Sequence, residues 1–186
     1  MFAMATVAVT LTNKVVGTTL IVPFSHSEGL QRYPAGHPKG GQPVIYRIHK
    51  YELVVDGSKK YEVVRFGPQN KGTISASRVS DAGLTAARKV HPSWVPGYSP
   101  HSFSGGPFAG AWRILPGKGF LIHEGANESL GQVGGSLGCV EVLGGKWADF
   151  LNTIRNVCGT DWGTIGARGG MHLTIEAGSY PTATLV

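Results

Sequence analysis

The dipeptide Asp56-Gly57 is the strongest local constraint in this 186-residue chain. It stands between two runs in which apolar residues alternate. Tyr46, Ile48, Tyr51, Leu53 and Val55 precede it, and Tyr61, Val63, Val64 and Phe66 follow. A two-residue type I′ turn needs positive φ at both central positions, which Asp-Gly tolerates and most pairs do not. The segment therefore predicts a β-hairpin. The chain also carries 28 glycines and 11 prolines, an excess that favours turns and short strands over long helices. The expected fold is mixed and predominantly β.

The rest of the chain fills in around this hairpin. Residues 5–24, rich in Val and Thr, are expected to supply one or two strands, and residues 25–42 a loop rich in Gly, Pro and His. Residues 1–42 are read as an N-terminal part, either a delivery segment or an extension of the sheet, and residues 43–186 as the main domain. A chain of this length buries roughly 70% of its unfolded surface, so its core needs no metal or disulfide staple. Residues 81–90 read as a short helix, with Leu84, Ala87 and Arg88 at helical spacing and Asp81 as the cap. Residues 92–107, which include Trp94, Tyr98 and Phe103, hold too much Pro and Gly for a regular element and suit a loop roofing a cleft. Strands are expected over 111–115, 119–123, 139–143 and 171–175. Trp147, Phe150, Leu151, Ile154 and Cys158 share one helical face, which predicts one main helix over 145–157 ended by Gly159.

Charge narrows the classes of partner. Lys and Arg number 17 against 11 Asp and Glu, a net charge of +6. The positive residues are scattered, with Lys59-Lys60 and Arg88-Lys89 the densest groups, so no nucleic-acid module is expected. A basic surface suits anionic surroundings such as an acidic cell-wall polymer. No 18 consecutive apolar residues occur, so no membrane span is expected. The N-terminus lacks a basic region ahead of an apolar block and makes a poor secretory signal.

The chemistry concentrates in two stretches. Phe120-Leu121-Ile122-His123-Glu124-Gly125 is followed by a polar, glycine-rich connection, then by Gly134-Gly135-Ser136-Leu137-Gly138-Cys139-Val140-Glu141-Val142. Two apolar strands each deliver one reactive side chain, and if they lie side by side His123 and Cys139 come within reach. A free thiol is only a few per cent thiolate at pH 7, so a nucleophilic Cys139 needs a base, and His123 is the natural one. Glycines ahead of Cys139 let the backbone turn tightly. The amides of Leu137, Gly138 and Cys139 can then converge on the oxyanion of an acyl-transfer intermediate, with Gly125 as a supporting residue. The other cysteine, Cys158, sits on the helix stripe and reads as a core thiol.

Other motifs compete for the same residues. His123-Glu124 begins a zinc-protease pattern, but its fifth position is Asn127, so no metal is expected. Gly134-x-Ser136-x-Gly138 matches the nucleophile elbow of serine hydrolases, with Asp149 or Asp161 and His172 following in order. That elbow requires a strand before the serine and a helix after it, whereas the residues after Ser136 read as strand.

His123, a spacer of 12 residues and Ser136-x-Gly138-Cys139 together resemble the catalytic domain of the L,D-transpeptidase (YkuD-like) family. The hairpin, Pro107-x-x-Gly110-x-Trp112-x-Ile114 and the late helix and strand are similar to that family's surroundings, over roughly residues 44–178. The resemblance implies a β-sandwich or sheet with one main helix packed on it, with Cys139 as acyl-accepting nucleophile, His123 as base and Ser136 as a supporting residue that orders the turn. It implies no cofactor. The substrate it implies is a peptidoglycan stem peptide, from which terminal D-alanine is released and the acyl group passed to an amine or to water. Leu137 stands where that family usually has a second His, and Glu141 where it commonly has Arg or Asn. A non-catalytic cell-wall-binding relic of the same fold is the other expectation this raises. Together with the missing signal, the motif resembles antibacterial effectors of type VI secretion. Such an effector is made in the cytoplasm, acts in the periplasm of a target cell, and implies an immunity protein or secretion-apparatus partner.

Overall fold

The computed structural model describes residues 4–25, 29–69, 78–79, 84–98, 106–115, 119–135 and 139–186. Strands dominate. The N-terminal half holds β1 (Val7–Val22), β2 (Phe24–Ser25), β3 (Gly29–Leu30), β4 (Tyr46–Val55), β5 (Lys59–Val64), β6 (Pro68–Gln69), β7 (Arg78–Val79) and β8 (Arg88–Val90). The C-terminal half holds β9 (Ser93–Pro96), β10 (Gly110–Arg113), β11 (Leu121–Glu124), β12 (Gly134–Gly135), β13 (Val140–Val142), β14 (Met171–Ile175) and β15 (Thr184–Leu185). Two helices, α1 (Trp147–Cys158) and α2 (Trp162–Ala167), lie between β13 and β14. The fold is predominantly β with one main helix.

The main sheet runs β8-β14-β1-β4-β5-β13-β11-β10-β9, with β12 added to β1 and β15 to β4. At the β4–β5 turn Asp56 and Gly57 take positive φ of 47° and 70° and Ser58 N–H bonds Val55 O, but Val55 pairs with Lys59, so the loop holds three residues and not two. β1 lies inside the sheet, parallel to β14 and antiparallel to β4. Its pairing with β4 slips midway: Leu11 faces Leu53, Val15 faces Tyr51, and Gly17 faces Lys50. Six residues of β1 thus span three of β4, and the odd excess turns the strand over. Val7, Val9 and Leu11 therefore enter one core while Ile21 enters another.

The larger core lies between the sheet and α1. Trp147, Phe150, Leu151, Ile154 and Cys158 are all buried there, against Val63, Trp112, Ile122, Val140 and Val142. Each large apolar side chain fully buried in this way contributes about 1.5–3 kcal/mol. Gly159 ends the helix in the left-handed conformation, its N–H bonded to Arg155 O. On the other face of the sheet a smaller cluster packs Ile21, Tyr33, Val44, Tyr46, Ile48, Val64, Leu143 and Ala183.

Three local expectations are corrected. Residues 88–90 form strand β8, antiparallel to β14, and residues 84–87 are not helical; Asp81, the expected cap, lies outside the described residues. Three residues at helical spacing are a weak signal, and the open backbone edge of β14 decides the conformation instead. Part of the expected loop over 92–107 is strand β9, paired with β10 along Pro96–Gly110 to Ser93–Arg113. Its proline is tolerated because β9 is the last strand of the sheet. Finally, α2 has no counterpart among the expected elements, because Gly163 and Gly166 break its pattern. Asp161 Oδ1 caps it by accepting from Thr164 N at 2.9 Å. Gly166 lets it dock: a Cβ there would lie 2.5 Å from Trp94 N. Among the described residues no helix is long and apolar enough to cross a membrane.

Candidate active site

β11 and β13 are neighbours and run parallel, with Ile122 facing Val140, His123 facing Glu141 and Glu124 facing Val142. The expected side-by-side placement is therefore present, and its direction decides which side chains meet. A parallel pair needs a crossover of a dozen or more residues, which residues 125–139 provide. Strand residues alternate between faces. Since Ile122, Val140 and Val142 point toward α1, His123, Glu141 and Cys139 project from the opposite face. Cys139 immediately precedes β13 and continues its register beside Leu121. Strand spacing and rise put the His123 and Cys139 Cα atoms about 8 Å apart, which an imidazole and a thiol on one face can bridge.

His123 is buried, and its Nδ1 lies 2.7 Å from Glu124 O. A carbonyl oxygen only accepts, so Nδ1–H donates, and in the neutral ring the lone pair then sits on Nε2. Cys139 is partly exposed, and its thiol donates to Gly119 O at 3.6 Å. Burial pushes this thiol up to about 11; a backbone hydrogen bond from Leu121 opposes the rise and the Glu141 carboxyl adds to it. The sulfur thus rests protonated and needs a base to become a nucleophile.

Two further residues complete the site. Tyr98, within the segment expected to roof a cleft, places its ring 5.9 Å from that of His123. Burial first, then Cys139 and Glu141, push its hydroxyl up to about 12, so it stays a neutral group. Glu141 is 1% exposed, neither carboxyl oxygen has a hydrogen-bond partner among the described residues, and burial pushes the acid up to about 8. Two glycines make room for it. A Cβ on Gly134 would lie 2.6 Å from Glu141 Oε2, and one on Gly125 would lie 2.7 Å from Glu141 Cβ. Gly125, expected as a supporting residue, therefore has a definite role. It leaves space for Glu141 while its N–H bonds Val142 O at 2.8 Å. In the sequence Glu141 stands out only as a departure from a family pattern, and Tyr98 only as one aromatic among several.

Ser136, Leu137 and Gly138, and with them two of the three expected oxyanion amides, lie outside the described residues. The groups that a serine elbow would use are engaged elsewhere. Asp149 Oδ2 pairs with Lys59 Nζ at 2.8 Å and accepts from Tyr61 OH at 2.8 Å. Asp161 caps α2, and His172 stacks edge-on against His91 with centroids 4.7 Å apart. Cys139 leads into strand β13, and α1 begins only at Trp147. Cys158 is buried, its thiol directed at Gly170 O 3.9 Å away. Among the described residues no group of three or more His, Cys, Asp or Glu could hold a metal ion. No family model, curated protein or solved structure matches the chain.

Proposed function

We propose that this chain is a cysteine-dependent acyl-transfer enzyme acting on peptidoglycan stem peptides, as an L,D-carboxypeptidase or L,D-transpeptidase. One observation carries the proposal: Cys139 and His123 project from the same face of adjacent parallel strands, with His123 held by Glu124 O in the tautomer that a base requires. The substrate class rests on the resemblance of the His123 and Ser136-x-Gly138-Cys139 pattern, and the antibacterial effector role rests on the same resemblance.

The chemistry runs in two halves. His123 Nε2 takes the proton of Cys139 Sγ as the sulfur attacks the carbonyl carbon of the scissile bond. The C–N bond then breaks, His123 returns the proton to the leaving amine, and a thioester on Cys139 remains. Water or a second amine attacks that thioester with His123 again accepting the proton, and the thiol is restored. A pair of backbone amides beside the sulfur would stabilise each oxyanion, one such donor being worth roughly 3 kcal/mol. Because the surroundings keep the thiol protonated, the proton transfer belongs to the attack itself and does not precede it as a stable ion pair.

The test is mass spectrometry of purified muropeptides incubated with the protein. Loss of one D-alanine, gain of a D-amino acid or formation of a dimer, each abolished by Cys139→Ala and sharply reduced by His123→Ala, supports the proposal. Turnover that survives Cys139→Ala, or muropeptides left unchanged by the wild type, refutes it.

A further inference from the structure

The residue facing His123 across the strand pair is not the nucleophile but an acid. Glu141 is buried, and among the described residues neither of its carboxyl oxygens has a hydrogen-bond partner. It stands opposite His123 in register and two residues along the same strand face from Cys139. A buried carboxyl without a partner is costly when neutral and far more so when charged, so native folds seldom keep one without a use. Here the fold makes room for it, since Gly125 and Gly134 both leave out the side chain that would displace it.

We propose that Glu141 is a positioning residue for the Cys139–His123 pair: it stands by the sulfur as a neutral acid, and ionising it makes the Cys139 thiolate harder to form. This rests on the reading of Cys139 as a nucleophile served by His123. Among the described residues the titratable groups around Glu141 are few. Cys139 lies on its own strand, His123 on β11, and Tyr98 beyond β9. On the other side β5 presents Val64, which faces Glu141. One strand further, Lys50 is held by Glu62 at 2.6 Å and Glu128 at 3.3 Å. Arg113 lies at the outer side, on β10 facing Leu121. Among the described residues neither Glu141 oxygen has a bonding partner, so its charge, once formed, acts on the sulfur with little local compensation. Burial already displaces its ionisation toward about 8, which places the change just above neutral pH.

The experiment measures alkylation of Cys139 by iodoacetamide from pH 6 to pH 9.5, read peptide by peptide, in the full chain. In the wild type, ionisation of Glu141 opposes the thiolate, so the rate climbs slowly above pH 8. In Glu141→Gln the opposing charge is gone, and the rise between pH 7 and pH 9 is expected to be on the order of tenfold greater. Glu141→Met, also uncharged and similar in length, should show the same gain. Cys158 reports folding: its alkylation stays slow while the core is intact, and if Glu141→Gln exposes it, Glu141→Met decides. Equal rises in the wild type and the folded uncharged variant, or a smaller rise in the variant, overturn the proposal. His123→Ala separates this outcome from failure of the underlying reading. If Cys139 alkylation at pH 7 is indifferent to His123→Ala, it is the nucleophile–base pair that fails, whatever Glu141 does.

Discussion

Replacing Gly134 by alanine should destabilise the protein through a single contact. The added methyl would lie 2.6 Å from Glu141 Oε2 and 3.7 Å from its Cδ, while the next atom, Ala126 Cβ, is 3.8 Å away. Only the carboxyl is in conflict; it is buried, and Gly125 lies close against Glu141 Cβ, so any retreat of the carboxyl has to come from its outer torsions within a packed interior. Overpacking of a dense interior costs about 1–3 kcal/mol. In a domain of this size that lowers Tm by roughly 3–9 °C. A double-mutant cycle isolates the contact. Glu141→Ala loses packing but also removes a buried carboxyl with no partner among the described residues, a relief of about 1–3 kcal/mol, so on its own it should be close to neutral. In that background the Gly134 methyl has room, and Gly134→Ala should cost less than about 0.5 kcal/mol. The coupling between the two positions should then exceed about 1 kcal/mol. Urea unfolding followed by tryptophan fluorescence at pH 6, where Glu141 is neutral, measures all four proteins. If Gly134→Ala costs the same with and without the carboxyl, the contact with Glu141 is not what makes glycine necessary there.

Two more outcomes concern the buried charges. Glu141 ionises near 8 in the folded protein but near 4.3 in an unfolded chain, so between those values the native state binds the extra proton and this group's contribution to stability falls as pH rises. Wild type should therefore lose stability relative to Glu141→Gln between pH 5 and pH 8, by up to about 1.4 kcal/mol per pH unit; a difference that stays flat across urea midpoints at these pH values contradicts the assignment. Arg65 is fully buried and donates to the carbonyls of Thr12, Leu84 and Glu176, tying β5 to β1 and to the segment after β14. Arg65→Ala leaves those buried or part-buried carbonyls without their donor and should cost at least about 1–3 kcal/mol. Thermal unfolding within 2 °C of wild type, against a shift of roughly 3 °C per kcal/mol, would refute this role.

Where backbone requirements are local, they are legible in the sequence. Asp56-Gly57 has one comfortable conformation, and the α1 stripe from Trp147 to Cys158 has one periodicity; both hold in the structure. The strands that carry His123 and Cys139 are visible as apolar runs. Their parallel direction is not, because direction depends on the path of a glycine-rich connection whose residues look alike for a hairpin and for a crossover. That missing fact hides Glu141. In an antiparallel pair His123 at a strand exit would face Cys139 at a strand entrance, whereas here it faces Glu141. The long strand β1 shows the same limit. Its Val and Thr residues announce a strand, but the bulge that sends Leu11 and Ile21 into different cores depends on its pairing with β4. Edge strands β8 and β9 escape a sequence reading because their residues are indifferent and neighbouring backbone decides them. Tyr98 comes to His123 by tertiary packing alone, with no motif to announce it.

The nucleophile is tested most directly by intact-protein mass spectrometry after exposure to a carbapenem, a β-lactam that acylates a nucleophilic thiol. One covalent adduct is expected on the wild type and on Cys158→Ala, mapped to Cys139, formed far more slowly in His123→Ala and absent from Cys139→Ala. An adduct on Cys158, or one on Cys139 that forms equally fast without His123, would contradict the assignment of Cys139 as a nucleophile served by His123.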